Sequence, residues 1–202
     1  MDLPLFPLNT VLFPGCVLDL QIFEARYLDM IGRCMKQGSG FGVVCLLEGR
    51  EAGDGGVRHA ALGCEAVVVD FNKQSNGLLG IRVKGGRRFK VTASHVEPSQ
   101  LIVGDVEFLK EHREEPLSSD EDDLVALLHA LAEHPMVESL NMIDRESRRG
   151  TEDTQQSLAN KLAYLLPFLD DDKLKLLALD DPRERLDAIQ SLLDELQGEL
   201  FE

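Results

Sequence analysis

Leu79-Gly80-Ile81-Arg82-Val83-Lys84-Gly85-Gly86-Arg87-Arg88-Phe89-Lys90-Val91 decides how the first half of this chain is read. Leu79, Ile81 and Val83 alternate with Gly80, Arg82 and Lys84. After the Gly85-Gly86 pair, Phe89 and Val91 alternate with Arg88 and Lys90. A period of two puts one set of side chains on a buried sheet face and the other in solvent. The paired glycines mark a bulge or corner in that strand. Just upstream, Asn76-Gly77 is the strongest hairpin signal in the chain, because both central positions of a type I′ turn need positive φ.

Working outward, short valine-rich apolar runs at 41–47 and 66–71 read as strands, separated by a polar, glycine-rich loop over 49–56. A further strand is expected over 101–109. Near the start, Pro4, Pro7 and Pro14 stand between apolar residues; since proline donates nothing to a ladder, this segment reads as an edge strand, with a turn at Pro14-Gly15. A strand follows over 16–22, with Leu18, Leu20 and Ile22 on one face. The spacing of Tyr27, Met30, Ile31, Cys34 and Met35 predicts a helix over 24–37 with one buried stripe, closed by Gly38. About six strands suggest a closed or nearly closed barrel.

The period changes after the charged link 111–116. Ser118-Ser119-Asp120-Glu121 is a capping box, and Leu124, Leu127, Leu128 and Leu131 mark a helix that ends before Pro135. Residues 134–150 read ambiguously. Helices resume over 154–166, 171–179 and 182–197, the last with Asp181 as N-cap and Pro182 at its first position. The expected class is α+β, with a β-rich unit carrying one helix over 1–116 and an acidic helical unit over 117–202.

Charge follows the same division. Through Pro116, 13 Lys/Arg stand against 15 Asp/Glu; from Leu117 onward the balance is 8 against 21, so −13 of the net −15 belongs to the second part. Such a field disfavours nucleic acid and anionic membrane as partners. No apolar run approaches the roughly 18 residues of a membrane helix, and Met1-Asp2-Leu3-Pro4 lacks the basic start of a secretory signal, so the expected location is cytoplasmic.

Candidate chemistry is sparse. Cys16, Cys34, Cys45 and Cys64 form no CxxC pair and sit among apolar neighbours, which reads as small buried hydrophobes rather than a metal or redox site. There is no GxxxxGK[ST] phosphate loop and no HxxxH pair. Gly38-Ser39-Gly40-Phe41-Gly42 follows a helix and opens a strand, the reverse of a phosphate cradle, so it reads as a turn. Ser157 and Lys161 share a helix face, but spacing alone supplies no oxyanion donor or nucleophile geometry. No catalytic residue, cofactor or metal is assigned. Arg82, Lys84, Arg87, Arg88 and Lys90 form a basic stripe: either an anion- or RNA-binding ridge or the solvent face of a strand pair.

Leu3-Pro4-Leu5-Phe6-Pro7-Leu8-Asn9-Thr10-Val11-Leu12-Phe13-Pro14-Gly15, followed by Ile22-Phe23-Glu24-Ala25-Arg26-Tyr27-Leu28-Asp29-Met30-Ile31, resembles the opening signature of the Lon protease N-terminal domain family. Phe41-Gly42-Val43-Val44, Gly86-Arg87-Arg88-Phe89 and Asp180-Asp181-Pro182-Arg183-Glu184-Arg185-Leu186 extend the resemblance in the family's order. That family includes the substrate-recognition domain of ATP-dependent Lon proteases, the corresponding part of cereblon, and small bacterial proteins made of that domain alone. The resemblance implies a PUA-like β pseudo-barrel followed by a helical bundle. It also implies recognition of unfolded or degron-bearing polypeptide, with a protease or chaperone as partner. The family's ATPase and Ser-Lys peptidase lie in later domains, so the expected role is non-catalytic. Phe23, Tyr27, Met30 and Ile31 are expected in the core, with Arg26 bridging to barrel carbonyls. The signature reads mainly as a lock on the fold; the candidate peptide site is the proline-rich edge, at Leu5, Phe6, Leu8, Val11 and Phe13, by strand addition or apolar contact. An RNA-binding accessory role through the basic hairpin is the alternative.

Overall fold

The computed structural model describes residues 1–49, 57–73, 78–135, 137 and 154–199. The Asn76-Gly77 turn, nearly all of the 49–56 loop and most of the ambiguous 134–150 stretch lie outside those residues. The chain forms two compact units, Met1–Leu109 and Lys110–Glu202.

The first unit is built from β1 (Asp2–Leu8), β2 (Val17–Ile22), α1 (Ala25–Gln37), β3 (Phe41–Glu48), β4 (Arg58–Lys73), β5 (Leu79–Val96) and β6 (Ile102–Phe108). The strand order is β2-β5-β4-β3-β1-β6, and β5 also pairs with β6, which closes five strands into a barrel and leaves β2 as an outrigger on β5. Closure is possible because β5 is long: its first half pairs with β2 and its second half with β6. Leu3, Leu5, Val44, Phe89 and Val106 fill the interior. The tip of the Phe89 ring lies 2.6 Å from where a Cβ on Gly42 or Gly63 would stand, so the ring occupies the room those residues leave.

Two expectations need correction here. β1 is not an edge strand: it runs parallel to β3 and antiparallel to β6. The prolines are tolerated because the two pairings are staggered, with β6 opposite residues 2–5 and β3 opposite residues 5–8. Pro4 and Pro7 each face one neighbour, so neither must serve a ladder on both sides. In α1, Tyr27, Met30, Ile31 and Cys34 are buried as expected, whereas Met35 is exposed. The helix closes on Gly38 at φ 62, the left-handed position that glycine adopts without a Cβ penalty. All four cysteines are buried thiols.

The second unit contains a 3-10 turn (Ser119–Glu121), α2 (Asp122–Ala132), α3 (Gln155–Leu165), α4 (Asp170–Ala178) and α5 (Pro182–Glu199). The capping box forms: the Glu121 carboxylate accepts from the Ser118 N–H at 2.7 Å, and Ser118 Oγ accepts from the Asp120 N–H. Glu121 is buried and also accepts from Gln155 Nε2 at 2.9 Å, which ties the start of α2 to α3. Asp181 caps α5, accepting from the Arg183 N–H at 2.8 Å. Arg185 is wholly buried; it donates to Asn160 Oδ1 on α3 and to the carbonyls of Leu176 and Leu179 at the end of α4. The late motif is therefore the clamp of the helical unit. No helix among the described residues is long and apolar enough to cross a membrane.

Candidate functional site

Leu5, Phe6, Leu8, Val11 and Phe13 are all buried, and with both sides of β1 paired that strand has no edge on which to add a peptide. Two of the five reach a surface depression. Phe6 and Leu8 form one wall of a groove of about 200 Å³, whose other members are Leu20 and Ile22 of β2, Phe23 at the strand-to-helix junction, and Tyr27 of α1. The Phe6 and Tyr27 rings stack at 4.0 Å between centroids, which fixes the floor.

Phe23 departs most from expectation. It is 61% exposed at the rim, not in the core. It follows the last residue of β2 and precedes Glu24, the N-cap of α1, so neither the strand's period nor the helix's decides its direction. Its place at that junction was the available signal. Phe71, the last residue of the apolar run over 66–71, is exposed as well. Register places it beside Ile81, which in turn lies beside Leu20, so these three share a face across β4, β5 and β2. Val83, one step along the same face of β5, is wholly buried; Ile81 is nearly so; Phe71 is 57% exposed. This face lies on the side of the sheet opposite Phe89 and runs out onto the surface at this end, beside the groove.

The groove's polar members are Asp19, Gln21 and Glu24. Asp19 accepts from Arg82 Nε and Nη2, both at 2.7 Å, in a bidentate pair. Glu24 pairs with Arg26 Nη2 at 2.8 Å, while Arg26 Nη1 donates to the Gln100 carbonyl at 2.9 Å, the backbone bridge expected for this residue. Both carboxylates are matched by arginines of the same chain, so the groove offers carbon and aromatic faces rather than net charge.

The basic stripe is divided by the same accounting. Arg82 is held by Asp19. Arg87 donates to Glu65 at 3.2 Å and lies 3.7 Å over the Phe108 ring. Arg88 was assigned to the polar side of its strand but is wholly buried. Between Gly85 and Arg88, β5 advances three residues while β4 advances two, so the bulge at the glycines resets the alternation. Lys84 and Lys90 remain exposed on the strand surface. In the helical unit, Ser157 and Lys161 lie on α3, where the Ser157 N–H donates to Thr154 Oγ1 at 3.2 Å as part of the N-cap. Among the described residues, no group of three or more His, Cys, Asp or Glu is placed to hold a metal ion.

The fold is an α+β one, a barrel carrying an apolar groove together with a helical unit clamped by Arg185, and comparison identifies its family. Residues 2–195 match the family model of the ATP-dependent protease La (LON) substrate-binding domain, and the chain belongs to that family. A solved Lon N-terminal domain protein from Xanthomonas campestris is 33% identical, with 95% of this chain and 98% of that one covered at a TM-score of 0.74. The N-terminal domain of Mycobacterium avium complex Lon protease has the same fold at 21% identity, with 94% and 96% covered and a TM-score of 0.61. No curated protein matches the chain.

Proposed function

We propose that this chain binds unfolded or degron-bearing polypeptide at the Phe6–Leu20–Phe23–Tyr27 groove, as an adaptor or holdase working with a protease or chaperone in the cytoplasm, and contributes no proteolytic or ATPase chemistry itself. Membership of a substrate-binding family supports the polypeptide as ligand. The observation that carries the site is Phe23, a large aromatic held exposed at the rim of an apolar groove whose carboxylates are already neutralised. An unfolded chain differs from a folded one in showing apolar side chains, and a groove of this chemistry selects for that difference.

Fluorescence anisotropy with a labelled, permanently unfolded polypeptide tests the reading. Phe23→Ser and Leu20→Ser are each expected to weaken binding roughly fivefold or more, as for loss of an apolar anchor. Phe23→Ser should leave the unfolding midpoint nearly unchanged, because its side chain is mostly exposed. Binding indifferent to both changes would remove the groove from consideration. The same mixtures should leave the polypeptide uncut with or without ATP; cleavage abolished by Ser157→Ala would overturn the non-catalytic part.

A further inference from the structure

We propose that the bound segment joins the sheet as an added strand on the outer edge of β2, an inference that rests on the groove being a polypeptide site. In the strand order β2 is terminal, with β5 as its one neighbour among the described residues. Which of its backbone groups face outward follows from the turn that begins it. The Gly85 N–H donates to the Cys16 carbonyl, and the Gly85 carbonyl accepts from the Gly15 N–H, both at 2.8 Å. An antiparallel ladder alternates residues that bond to the partner with residues that do not. Counting from Cys16 opposite Gly85, Leu18 and Leu20 turn their N–H and C=O groups toward β5, and Asp19 and Gln21 turn theirs outward. Asp19 and Gln21 are both exposed.

That edge borders the groove. Asp19, Leu20, Gln21 and Ile22 form one wall, and Phe6, Leu8 and Tyr27 face them. A strand laid at the usual ~4.8 Å spacing would drop every second side chain toward Leu20, Ile22 and Phe6 and leave the others in solvent. The ligand class is therefore an extended segment with apolar residues at alternate positions and free amides on its bonding side. Backbone bonds add affinity without demanding a particular sequence, which suits clients that share only their lack of fold. The chain's net charge of −15 sets a repulsive field against a second copy as the occupant.

The experiment uses the full chain and three versions of one peptide of about ten residues with leucine at every second position. One is unmodified, one is N-methylated on alternate amides, and one carries the methyls on the other set of amides. Methylation of one set is expected to weaken binding roughly tenfold or more, and of the other set much less. Hydrogen exchange of the Asp19 and Gln21 amides should slow when the unmodified peptide is added. Binding that ignores both methylation patterns, or falls equally with both, overturns strand addition while leaving apolar recognition standing. No binding of the unmodified peptide, nor of the unfolded polypeptide, overturns both. Slow exchange at Asp19 and Gln21 without peptide, with a doubled mass in solution, makes a second copy the occupant and overturns the proposal.

Discussion

Gly85 shows how much one position settles. A Cβ there would stand 2.1 Å from the Phe13 carbonyl oxygen, and the residue's own N–H and C=O hold the Gly15–Cys16 turn. Both sides of the clash are backbone, so no side chain can move aside. Gly85→Ala should cost about 2 kcal/mol or more by urea denaturation; a loss under about 0.5 kcal/mol would show that the turn gives way. Alternation and the glycine pair announced a bulge here, but not that it would bury Arg88 on the side of the sheet that Val83 occupies, because a bulge leaves the following parity open. Cys34 makes a second test. Its Sγ donates to the Gly40 carbonyl, and burial pushes its thiol above the ordinary value of 9.0. The folded state therefore prefers the neutral thiol. The associated stability is complete below pH 9.0 and is lost as pH rises from there through the folded-state value. The urea midpoint should fall more steeply above that pH in the native chain than in Cys34→Ala. Parallel curves would refute a buried neutral thiol.

Among elements, α3, α4 and α5 depend on a charge with no water around it. Replacing Arg185 by Met keeps much of the volume but leaves Asn160 and two α4 carbonyls short of donors. Each buried group left without a partner costs about 1–3 kcal/mol, so Arg185→Met should destabilise this unit by about 3 kcal/mol or more. Amide exchange in the three helices should quicken first, whereas uniform quickening across both units would contradict a local clamp. These helices were legible because caps and a 3.6 period are local signals: Ser118, Glu121 and Asp181 all cap where the sequence places them. β1 was misread for the opposite reason. Whether a proline offends a ladder depends on which strand lies beside it, and neighbours separated by some 35 to 100 residues are invisible in a seven-residue window.

At the scale of the molecule, charge separates the two binding classes the sequence left open. An apolar groove with neutralised carboxylates should bind an uncharged apolar peptide with little change between about 0.05 and about 0.5 M salt. With net charge −15 and three of five stripe residues paired or buried, the chain should not retain single-stranded RNA at about 0.15 M salt in a gel-shift assay. RNA retention that weakens steeply with salt and vanishes in a Lys84→Glu, Lys90→Glu double variant would favour nucleic acid instead.

The sequence by itself determined the kinds of element, their order, the barrel-forming strands and the family, because periodicity, caps and motif spacing are properties of neighbouring residues. Only the tertiary structure decided where the groove lies. Its walls come from β1, β2 and α1, and exposure at Phe23 and Phe71 depends on which distant segments pack beside them. The open edge moved from β1 to β2 for the same reason. An edge is the absence of a neighbour, and pairing between distant segments decides which strand has one.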